Sequence, residues 1–136
     1  MADKQKMNDY LTECGVFYFA TVCDGAPVVR PLGFHMVHDG ELYFGVGTFK
    51  EVYAQLTANP NVCISATKPG GMDWVRIFGK AVCDDDPALV EACWEAMPHL
   101  KPVYESNGWT MGIFHLEEGK VTYYENAMTP AATEEF

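Results

Sequence analysis

Two Asp-Gly dipeptides, Asp24-Gly25 and Asp39-Gly40, each join two segments rich in β-branched and aromatic residues. Asp-Gly readily adopts the left-handed backbone that a two-residue hairpin turn needs. The sequence therefore predicts three strands, at 16–23, 27–37 and 41–47, that follow one another in antiparallel order. Because parallel strands need a long crossover between them, turns this short exclude a parallel α/β sheet for this part of the chain.

The rest of the chain predicts more short strands with helices between them. Apolar residues at helical spacing, with an aspartate-rich cap before the last segment, predict helices at 7–14, 49–58 and 84–100. Strand patterns lie at 61–68, 74–83, 111–116 and 120–125, the last two as a hairpin around Glu117–Gly119. We expect a mainly β (α+β) fold, a small antiparallel barrel of six to seven strands with two to three peripheral helices.

Length and charge limit the domain organisation and the kinds of partner. The 136 residues suit one domain, which we expect to span 1–136 with about 127–136 as a surface or disordered tail. The formal net charge of -10 disfavours DNA or RNA as a partner, because such binding neutralises many phosphates. No apolar run approaches the roughly twenty residues of a membrane helix, and the N-terminus lacks a signal-peptide pattern. We expect a cytoplasmic protein with no membrane partner.

The segment from Gly45 to Leu56, GVGTFKEVYAQL, allows two interpretations. Thr48 and Glu51 have the spacing of a capping box, in which both side chains bond to backbone N–H groups at the start of a helix. The glycines, the helix start and Lys50 would also suit an anion, because free N–H groups and the positive helix end attract a phosphate. The residues alone leave a plain cap and a phosphate site both open.

Arg30 lies in an otherwise apolar strand pattern, VVRPLGF. The next residue, Pro31, cannot donate to a strand ladder and marks an edge or a bulge, while Gly33 lets another group approach the backbone closely. Unpaired backbone groups there could hydrogen-bond a flat heterocycle. An arginine on a solvated strand edge explains the same pattern, and the segment by itself leaves both interpretations open.

Arg76 lies in a second apolar pattern, WVRIFG, in which alternation separates two faces. Val75 and Ile77 share one face, while Trp74, Arg76 and Phe78 share the other. If the first face lies in the core, the second is an exposed aromatic and cationic patch. Such a patch favours a subunit interface or a ligand over contact with water alone.

The order of these segments is more specific than any one of them. The chain runs through FYFATVCDGAPVVRPLGF, DGELYFGVGTFKEVYAQLTANPNVCIS and WVRIFGKAV before an acidic helix start. This arrangement closely resembles the pyridoxamine 5'-phosphate oxidase-like FMN-binding split β-barrel family, strongly from Tyr10 to Val82 and more loosely beyond. The resemblance implies a six- to seven-stranded antiparallel split β-barrel, in which one FMN-binding domain forms a homodimer with FMN at the subunit interface.

The resemblance also implies roles for individual residues, although it assigns no catalytic side chain. Arg30 would meet the FMN phosphate or its ribityl end, and Lys50 would be the main charge partner of the phosphate. The backbone of Pro31, Leu32 and Gly33 would run along the isoalloxazine ring. Val46 and Thr48 would belong to the loop that holds the ring edge and the phosphate. Trp74 would approach the flavin from the following strand. Trp109, a C-terminal aromatic residue, could reach the flavin from the partner subunit.

The resemblance implies a flavoprotein, and we expect an FMN-dependent oxidoreductase that passes electrons or hydride from reduced nicotinamide to an unknown small acceptor. Two alternatives stay open: a non-catalytic flavin- or haem-binding module that serves as a sensor or store, and a cofactor-free barrel whose apolar faces serve only dimerisation. Phe49 stands before Lys50 where the true oxidase has a second basic residue, and the segments that grip pyridoxal phosphates have no counterpart. We therefore do not expect vitamin B6 oxidation.

The histidines and cysteines predict no additional chemistry. His35, His38, His99 and His115 lack metal-ligand spacing, so we expect no metal site. His35 follows Gly33 by two residues and could touch the ring or a substrate, the alternative being a histidine on a polar strand face. The five cysteines include no C-x-x-C pair and suit reduced thiols.

Overall fold

Runs of two to four strands are separated by helices in the described part of the chain, which comprises residues 1–126 and 128–136 of a computed structural model. The helices are α1 (Lys4–Cys14), α2 (Glu51–Ala58), α3 (Pro87–Ala96) and α4 (Leu100–Asn107). The strands are β1 (Phe17–Cys23), β2 (Ala26–Leu32), β3 (His35–His38), β4 (Glu41–Gly47), β5 (Asn61–Thr67), β6 (Trp74–Asp84), β7 (Met111–Tyr124) and β8 (Pro130–Glu135). The described residues thus form eight strands and four helices, more of each than the sequence predicted.

Neighbouring strands of the sheet pair antiparallel in the order β2-β1-β5-β6-β7-β4-β3, and β8 also pairs with β7. Over the described residues β2 and β3 form the two ends of this order, so the sheet is not closed. The short turns of the sequence permit this antiparallel arrangement. The predicted fold class, a mainly β (α+β) split β-barrel with peripheral helices, is confirmed.

Both Asp-Gly turns form as predicted. Asp24 and Gly25 have φ angles of 52° and 79°, and Asp39 and Gly40 have φ angles of 48° and 80°. Positive φ at both central residues is the hairpin geometry whose twist matches that of the paired strands. The first turn joins β1 to β2, and the second joins β3 to β4.

The predicted strand 27–37 is two strands. β2 ends at Leu32 and pairs with β1, whereas β3 begins at His35 and pairs with β4. The chain changes its partner between them, so Gly33 and Phe34 lie outside both strands. These two residues cross from one end of the sheet to the other.

The predicted hairpin at 111–125 is instead the single strand β7, of 14 residues. β4 pairs with residues 111–115 of this strand, and β8 pairs with residues 120–124. Between the two parts Glu118 has a φ of 50°, and the register with β6 shifts opposite this point. Residues 117–119 are therefore a bend within one strand rather than a turn between two.

Most of the predicted surface or disordered tail forms β8, while Ala127 lies outside the described residues. The segment lies on the surface, but the disordered alternative is wrong for Pro130–Glu135, which pairs with β7. Phe136 packs against the barrel core and exchanges backbone hydrogen bonds of 2.9 and 3.0 Å with Gly119. A Cβ on Gly119 would lie 2.2 Å from the Phe136 ring, so only glycine fits at this bend.

The predicted helix 84–100 is shorter, and the predicted loop after it contains α4. Asp86 caps α3 with its carboxylate, and Pro98 lies in the break between α3 and α4. α4 ends at Gly108, whose φ of 68° lets its N–H bond to the last carbonyls of the helix. Two helices therefore lie between β6 and β7 in the chain, where one was expected.

Buried apolar side chains form two groups on opposite faces of the sheet. Alternation along β7 places Phe114 in the barrel core and Ile113 in the second group. α1 and α2 contribute Met7 and Leu56 to the barrel core. α3 and α4 cover the second group, which comprises Leu89, Cys93, Tyr104, Met111 and Ile113.

Candidate functional site

A cleft of ≈ 330 Å³ lies where the ends of β2 and β4 meet α2, α4 and the start of β7. This volume is within the usual range for small-molecule sites. Five residues predicted from the sequence line it: Pro31, Leu32, Gly33, Val46 and Lys50. The rest of the lining is apolar apart from one tyrosine hydroxyl: Phe34, Gly45, Gly47, Met97, Leu100, Tyr104 and Met111.

Gly33 leaves a gap in the wall of the cleft. A Cβ built on this residue would have no heavy atom within 4 Å, and its backbone is not left-handed. Neither crowding nor backbone strain therefore requires glycine here. A flat ring could lie directly against the bare backbone, which a side chain would prevent.

α2 begins beside the cleft without a side-chain cap. Lys50 is its N-cap residue, and no side chain accepts a hydrogen bond from the first turn. The Thr48 hydroxyl donates instead to the carbonyl oxygen of Thr110 at 3.2 Å, and Thr48 does not line the cleft. The capping-box interpretation of Thr48 and Glu51 is therefore wrong. The first N–H groups of α2 remain available to an anion beside Lys50.

Arg30 bonds to β1 and α2 and does not itself line the cleft. Nη1 donates to the Phe19 carbonyl at 3.1 Å and to the Thr21 hydroxyl at 2.8 Å, and Nη2 donates to Gln55 Oε1 at 2.6 Å. Burial lowers the pKa of Arg30 from its ordinary value, and the carboxylate of Glu51 opposes this shift. Because a guanidinium stays charged at neutral pH, the structure holds a fixed, half-buried cation beside α2.

An aromatic cluster borders the cleft where α4 leads into β7. Trp109 stacks on Phe49 with ring centroids 4.2 Å apart, and it meets the edge of Tyr104 with centroids 5.7 Å apart. Tyr104 lines the cleft, so Trp109 stands next to the cleft of its own chain. Phe49, which departs from the basic pattern of the resembled family, holds this tryptophan in place.

Trp74 lies away from the cleft. Its ring stacks on Tyr124 with centroids 4.0 Å apart, and the guanidinium of Arg76 lies 4.8 Å from the tryptophan ring. Trp74 pairs with Tyr124 at the end of β7, whereas the cleft residue Met111 begins that strand. Within one chain, Trp74 and the cleft therefore lie at opposite ends of β7.

The outer face of β2, β1, β5 and β6 carries exposed apolar side chains. Tyr18 is 54% exposed and Phe78 is 45% exposed. Strand pairing places Pro31, Tyr18, Ser65 and Arg76 in one row across the four strands. Because Pro31 also lines the cleft, this outer face is continuous with the cleft.

The sequence analysis missed the wall that α4 and the chain before it contribute. Met97, Leu100 and Tyr104 line the cleft; the first two end the predicted helix 84–100, and Tyr104 lies in the predicted loop after it. Part of the signal was present, because Leu100 and Tyr104 have helical spacing and Gly108 is a typical helix end. The position of the helix over the cleft depends on packing that the spacing does not reveal.

His35 does not line the cleft. Its Nδ1 lies 2.6 Å from the Asn8 amide oxygen, which accepts the hydrogen bond when Nδ1 carries the proton. Burial lowers the pKa of His35, so the ring is neutral at pH 7. In one chain this histidine joins β3 to α1.

The described residues contain no group of three or more His, Cys, Asp or Glu side chains arranged to hold a metal. No helix in this part of the chain is long and apolar enough to cross a bilayer. The five cysteines are free thiols.

The cleft can bind a flat, largely apolar group that carries one negative charge. Its walls are largely apolar, its backbone is bare at Gly33, and Lys50 is the charged residue among the described lining. The Tyr104 hydroxyl keeps its proton at neutral pH, and burial raises its pKa further above the ordinary value of 10.0. The lining among the described residues is therefore suited to binding rather than to acid–base chemistry.

Comparison with solved structures finds related folds. A NimC/NimA family protein from Clostridium acetobutylicum has 31% sequence identity and a TM-score of 0.84, over 98% of this chain and 91% of that protein. A haem-binding protein from Mycobacterium smegmatis has 14% identity and a TM-score of 0.69, over 100% of this chain and 58% of that protein. A FAD-binding protein from Mesorhizobium loti has 19% identity and a TM-score of 0.58, over 88% of this chain and 94% of that protein. The last two show a shared fold alone.

Comparison with curated protein sequences gives no significant match. The family model described as pyridoxamine 5'-phosphate oxidase matches residues 3–102. This range includes both Asp-Gly hairpins, α2 with Lys50, and the whole of β6. The chain belongs to the pyridoxamine 5'-phosphate oxidase family.

Proposed function

We propose that this protein is an FMN-binding flavoprotein that passes electrons or hydride from a reduced nicotinamide to a small acceptor. The main support is the cleft, where the bare backbone of Gly33 and apolar walls adjoin Lys50 at the uncapped start of α2. A flat apolar ring and a phosphate need different surroundings, and this cleft offers both.

The apolar part of the cleft would bind the isoalloxazine ring. Pro31, Leu32 and Gly33 would lie along the ring, and Val46 would contact its edge. A bound flavin supplies the hydride and electron chemistry, so the chain needs only to bind it, orient it and exclude water. Tyr104 lines the cleft, and its protonated hydroxyl can donate a hydrogen bond there.

The charged part of the cleft would bind the phosphate. Lys50 and the first N–H groups of α2 would be its direct partners. Thr48 holds this loop, since its N–H and its hydroxyl both donate to the Thr110 carbonyl, at 2.9 and 3.2 Å. Phe49 supplies no second positive charge, so the phosphate would depend on Lys50 and on Arg30.

FMN is preferred here over the two cofactors named for relatives. One cation in the cleft suits the single phosphate of FMN, whereas FAD carries a second phosphate and an adenosine. A haem needs an axial ligand, and of the side-chain types that serve as one, the described lining offers Met97, Met111 and Tyr104 but no histidine or cysteine. A flavin needs no such ligand.

We also propose a homodimer with FMN at the subunit interface. The exposed apolar face of β2, β1, β5 and β6 is continuous with the cleft through Pro31, so a second chain on this face would border the cofactor. In a two-fold dimer this face meets its own copy. Trp74 and Arg76, which stand away from the cleft of their own chain, would then be available to the cleft of the other.

The visible absorption spectrum of the purified protein tests the proposal. We expect a flavin spectrum, and heat-released cofactor that runs as FMN rather than FAD. Under anaerobic conditions NADH or NADPH should bleach this spectrum, and a small acceptor should restore it. A haem spectrum, or a colourless protein that fails to take up added FMN, would overturn the cofactor assignment.

The same measurement separates enzyme from binding module. If the flavin is bound but neither nicotinamide reduces it and no acceptor reoxidises it after chemical reduction, the protein is a flavin sensor or store. That outcome retains the FMN site and removes the oxidoreductase activity.

A further inference from the structure

Arg30, Thr21 and Gln55 form a closed triangle of hydrogen bonds between β2, β1 and α2. Arg30 donates to the Thr21 hydroxyl at 2.8 Å and to Gln55 Oε1 at 2.6 Å. Thr21 is 1% exposed, and its hydroxyl donates in turn to Gln55 Oε1 at 2.6 Å. Each side therefore links a donor to an acceptor, and the triangle fixes the direction of the guanidinium.

The orientation of the Gln55 amide follows from its neighbours. A guanidinium has only N–H donors, so the group that Gln55 turns towards Arg30 must be the oxygen. Thr21 uses its hydroxyl proton for the same oxygen and accepts from Arg30 with its lone pair. Neither residue has a second arrangement that would satisfy all three side chains.

The triangle leaves part of the guanidinium free to bind a ligand. Its acceptors in the described residues are the Phe19 carbonyl, Thr21 and Gln55, which occupy Nη1 and one N–H of Nη2. The Nε–H and the second Nη2–H remain available. Burial lowers the pKa of Arg30, so its charge has lost solvation that a negatively charged ligand would replace.

The same two elements bring this cation and the cleft together. Arg30 directly precedes Pro31 in β2, and Gln55 lies on the helix whose N-cap is Lys50. Both Pro31 and Lys50 line the cleft. The charge of Glu51, the first residue of α2, acts on the pKa of Arg30, so the guanidinium lies near the start of this helix.

We propose that Gln55 and Thr21 are positioning residues that aim Arg30 at the phosphate of the bound flavin mononucleotide. This inference rests on the proposed function, and it deepens that function by naming two residues that hold Arg30 towards the phosphate. Neither Gln55 nor Thr21 lines the cleft. Their effect passes through Arg30.

Riboflavin, which is FMN without its phosphate, separates a phosphate effect from a structural one. Dissociation constants for FMN and riboflavin are measured by fluorescence quenching on the full chain and on Gln55→Leu. We expect the variant to bind FMN about tenfold more weakly and to bind riboflavin within about twofold of the wild type. Gln5→Leu on α1, where Gln5 bonds to the exposed Asp9, is the matched control and should change neither constant.

Gln55→Glu is a second variant for the case in which Gln55→Leu does not fold. It keeps an acceptor for Arg30 and Thr21 but adds a negative charge, so FMN binding should fall and riboflavin binding should not. A purely structural triangle would instead leave the ratio of the two constants unchanged in Gln55→Leu, which would overturn the inference. A wild-type protein that binds riboflavin as tightly as FMN would instead refute the phosphate site itself.

Discussion

Gly33 and Gly119 show two different needs for glycine in one chain. At Gly119 a Cβ would collide with the Phe136 ring at 2.2 Å, so the fold itself requires glycine. At Gly33 a Cβ would meet nothing within 4 Å, so the fold does not require it. The difference assigns Gly119 to stability, whereas Gly33 leaves room for the ligand that we propose.

Alanine at each position separates the two effects. Gly33→Ala should leave the melting temperature within a few degrees of the wild type, because the methyl group enters open space. It should weaken FMN binding, because the methyl group lies between the ring and the backbone. Gly119→Ala should lower the free energy of unfolding by about 1–3 kcal/mol, because the bend is overpacked. Thermal unfolding and FMN titration check the pair, and equal FMN affinity in Gly33→Ala and wild type would contradict the placement of the ring.

Lys50 is the charged residue that lines the cleft among the described residues. Lys50→Ala should raise the FMN dissociation constant roughly tenfold, or about 1.4 kcal/mol. The effect should shrink at high salt, because Lys50 is exposed and its charge is screened. Lys120→Ala, an exposed lysine on β7, is the control. If both variants bind FMN like the wild type at low salt, Lys50 has no role in the site.

At the scale of elements, His115 joins β7 to the end of β6. Its Nδ1 lies 2.7 Å from Asp84 and its Nε2 lies 2.7 Å from Glu117. Both nitrogens can donate only when the ring is charged. Burial alone would lower the pKa of His115, but the hydrogen bonds to Asp84 and Glu117 and the charge of Glu41 raise it overall. The ring of Tyr43 packs against its edge.

This raised pKa gives the contact a defined pH dependence. The contact stabilises the fold fully below the unfolded pKa of 6.5, and this contribution is lost as the pH rises through the higher folded pKa. His115→Gln should therefore lower the free energy of unfolding by about 2 kcal/mol near pH 5 and by less near pH 9.

Denaturant unfolding should be used to measure the difference in unfolding free energy between His115→Gln and the wild type at each pH. The lowered pKa of His35 acts in the opposite direction and would obscure the trend in the wild type alone. His99→Gln, at an exposed histidine, is the control. A cost of His115→Gln that stays constant with pH would show that the ring is neutral in the folded protein.

At the scale of the whole molecule, the net charge and the outer face have opposite effects on the association of two copies. The net charge of -10 opposes the association of two copies. The outer face of β2, β1, β5 and β6 counters this with exposed aromatic side chains and the cation of Arg76. Association through this face should therefore strengthen as salt screens the repulsion.

Phe78→Asp tests the proposed dimer. A carboxylate at the centre of this face should yield a particle of 15.1 kDa where the wild type has twice that mass. FMN binding should weaken in parallel, because the cofactor loses the wall that the second chain provides. Val103→Asp on α4 is the matched control, since Val103 and Phe78 are both 45% exposed. Light scattering gives the masses, and a monomeric wild type that binds FMN normally would refute the interface.

Local rules predicted those features of the fold that depend on neighbouring residues. The Asp-Gly turns followed from backbone preference, and alternation correctly buried Val75 and Ile77, at 1% and 0% exposure. The cleft residues Pro31 to Gly33 and Lys50 were found because they lie in the most characteristic segments of the family. Thr48, Trp74 and Trp109 were predicted to touch the cofactor, and within one chain they do not line the cleft.

The remaining features depend on contacts between distant residues. Glu117–Gly119 has the composition of a hairpin turn, and it forms a bend because Phe136 packs on Gly119. α4 was missed because eight residues with a proline near their start give weak helical spacing. No local pattern shows that Gln55 accepts from Arg30, 25 residues away in the chain.

β8 follows the other described strands in the chain, which has a consequence for synthesis. Glu135 bonds to Ala2 and Phe136 bonds to Gly119, so this edge of the sheet is covered only after residues 130–136 have left the ribosome. Among the described residues, those that line the cleft all precede Gly112 in the chain. During translation the cleft is therefore complete in sequence before the edge of β7 is covered. A nascent chain at that stage exposes an unpaired strand, which is a state prone to aggregation.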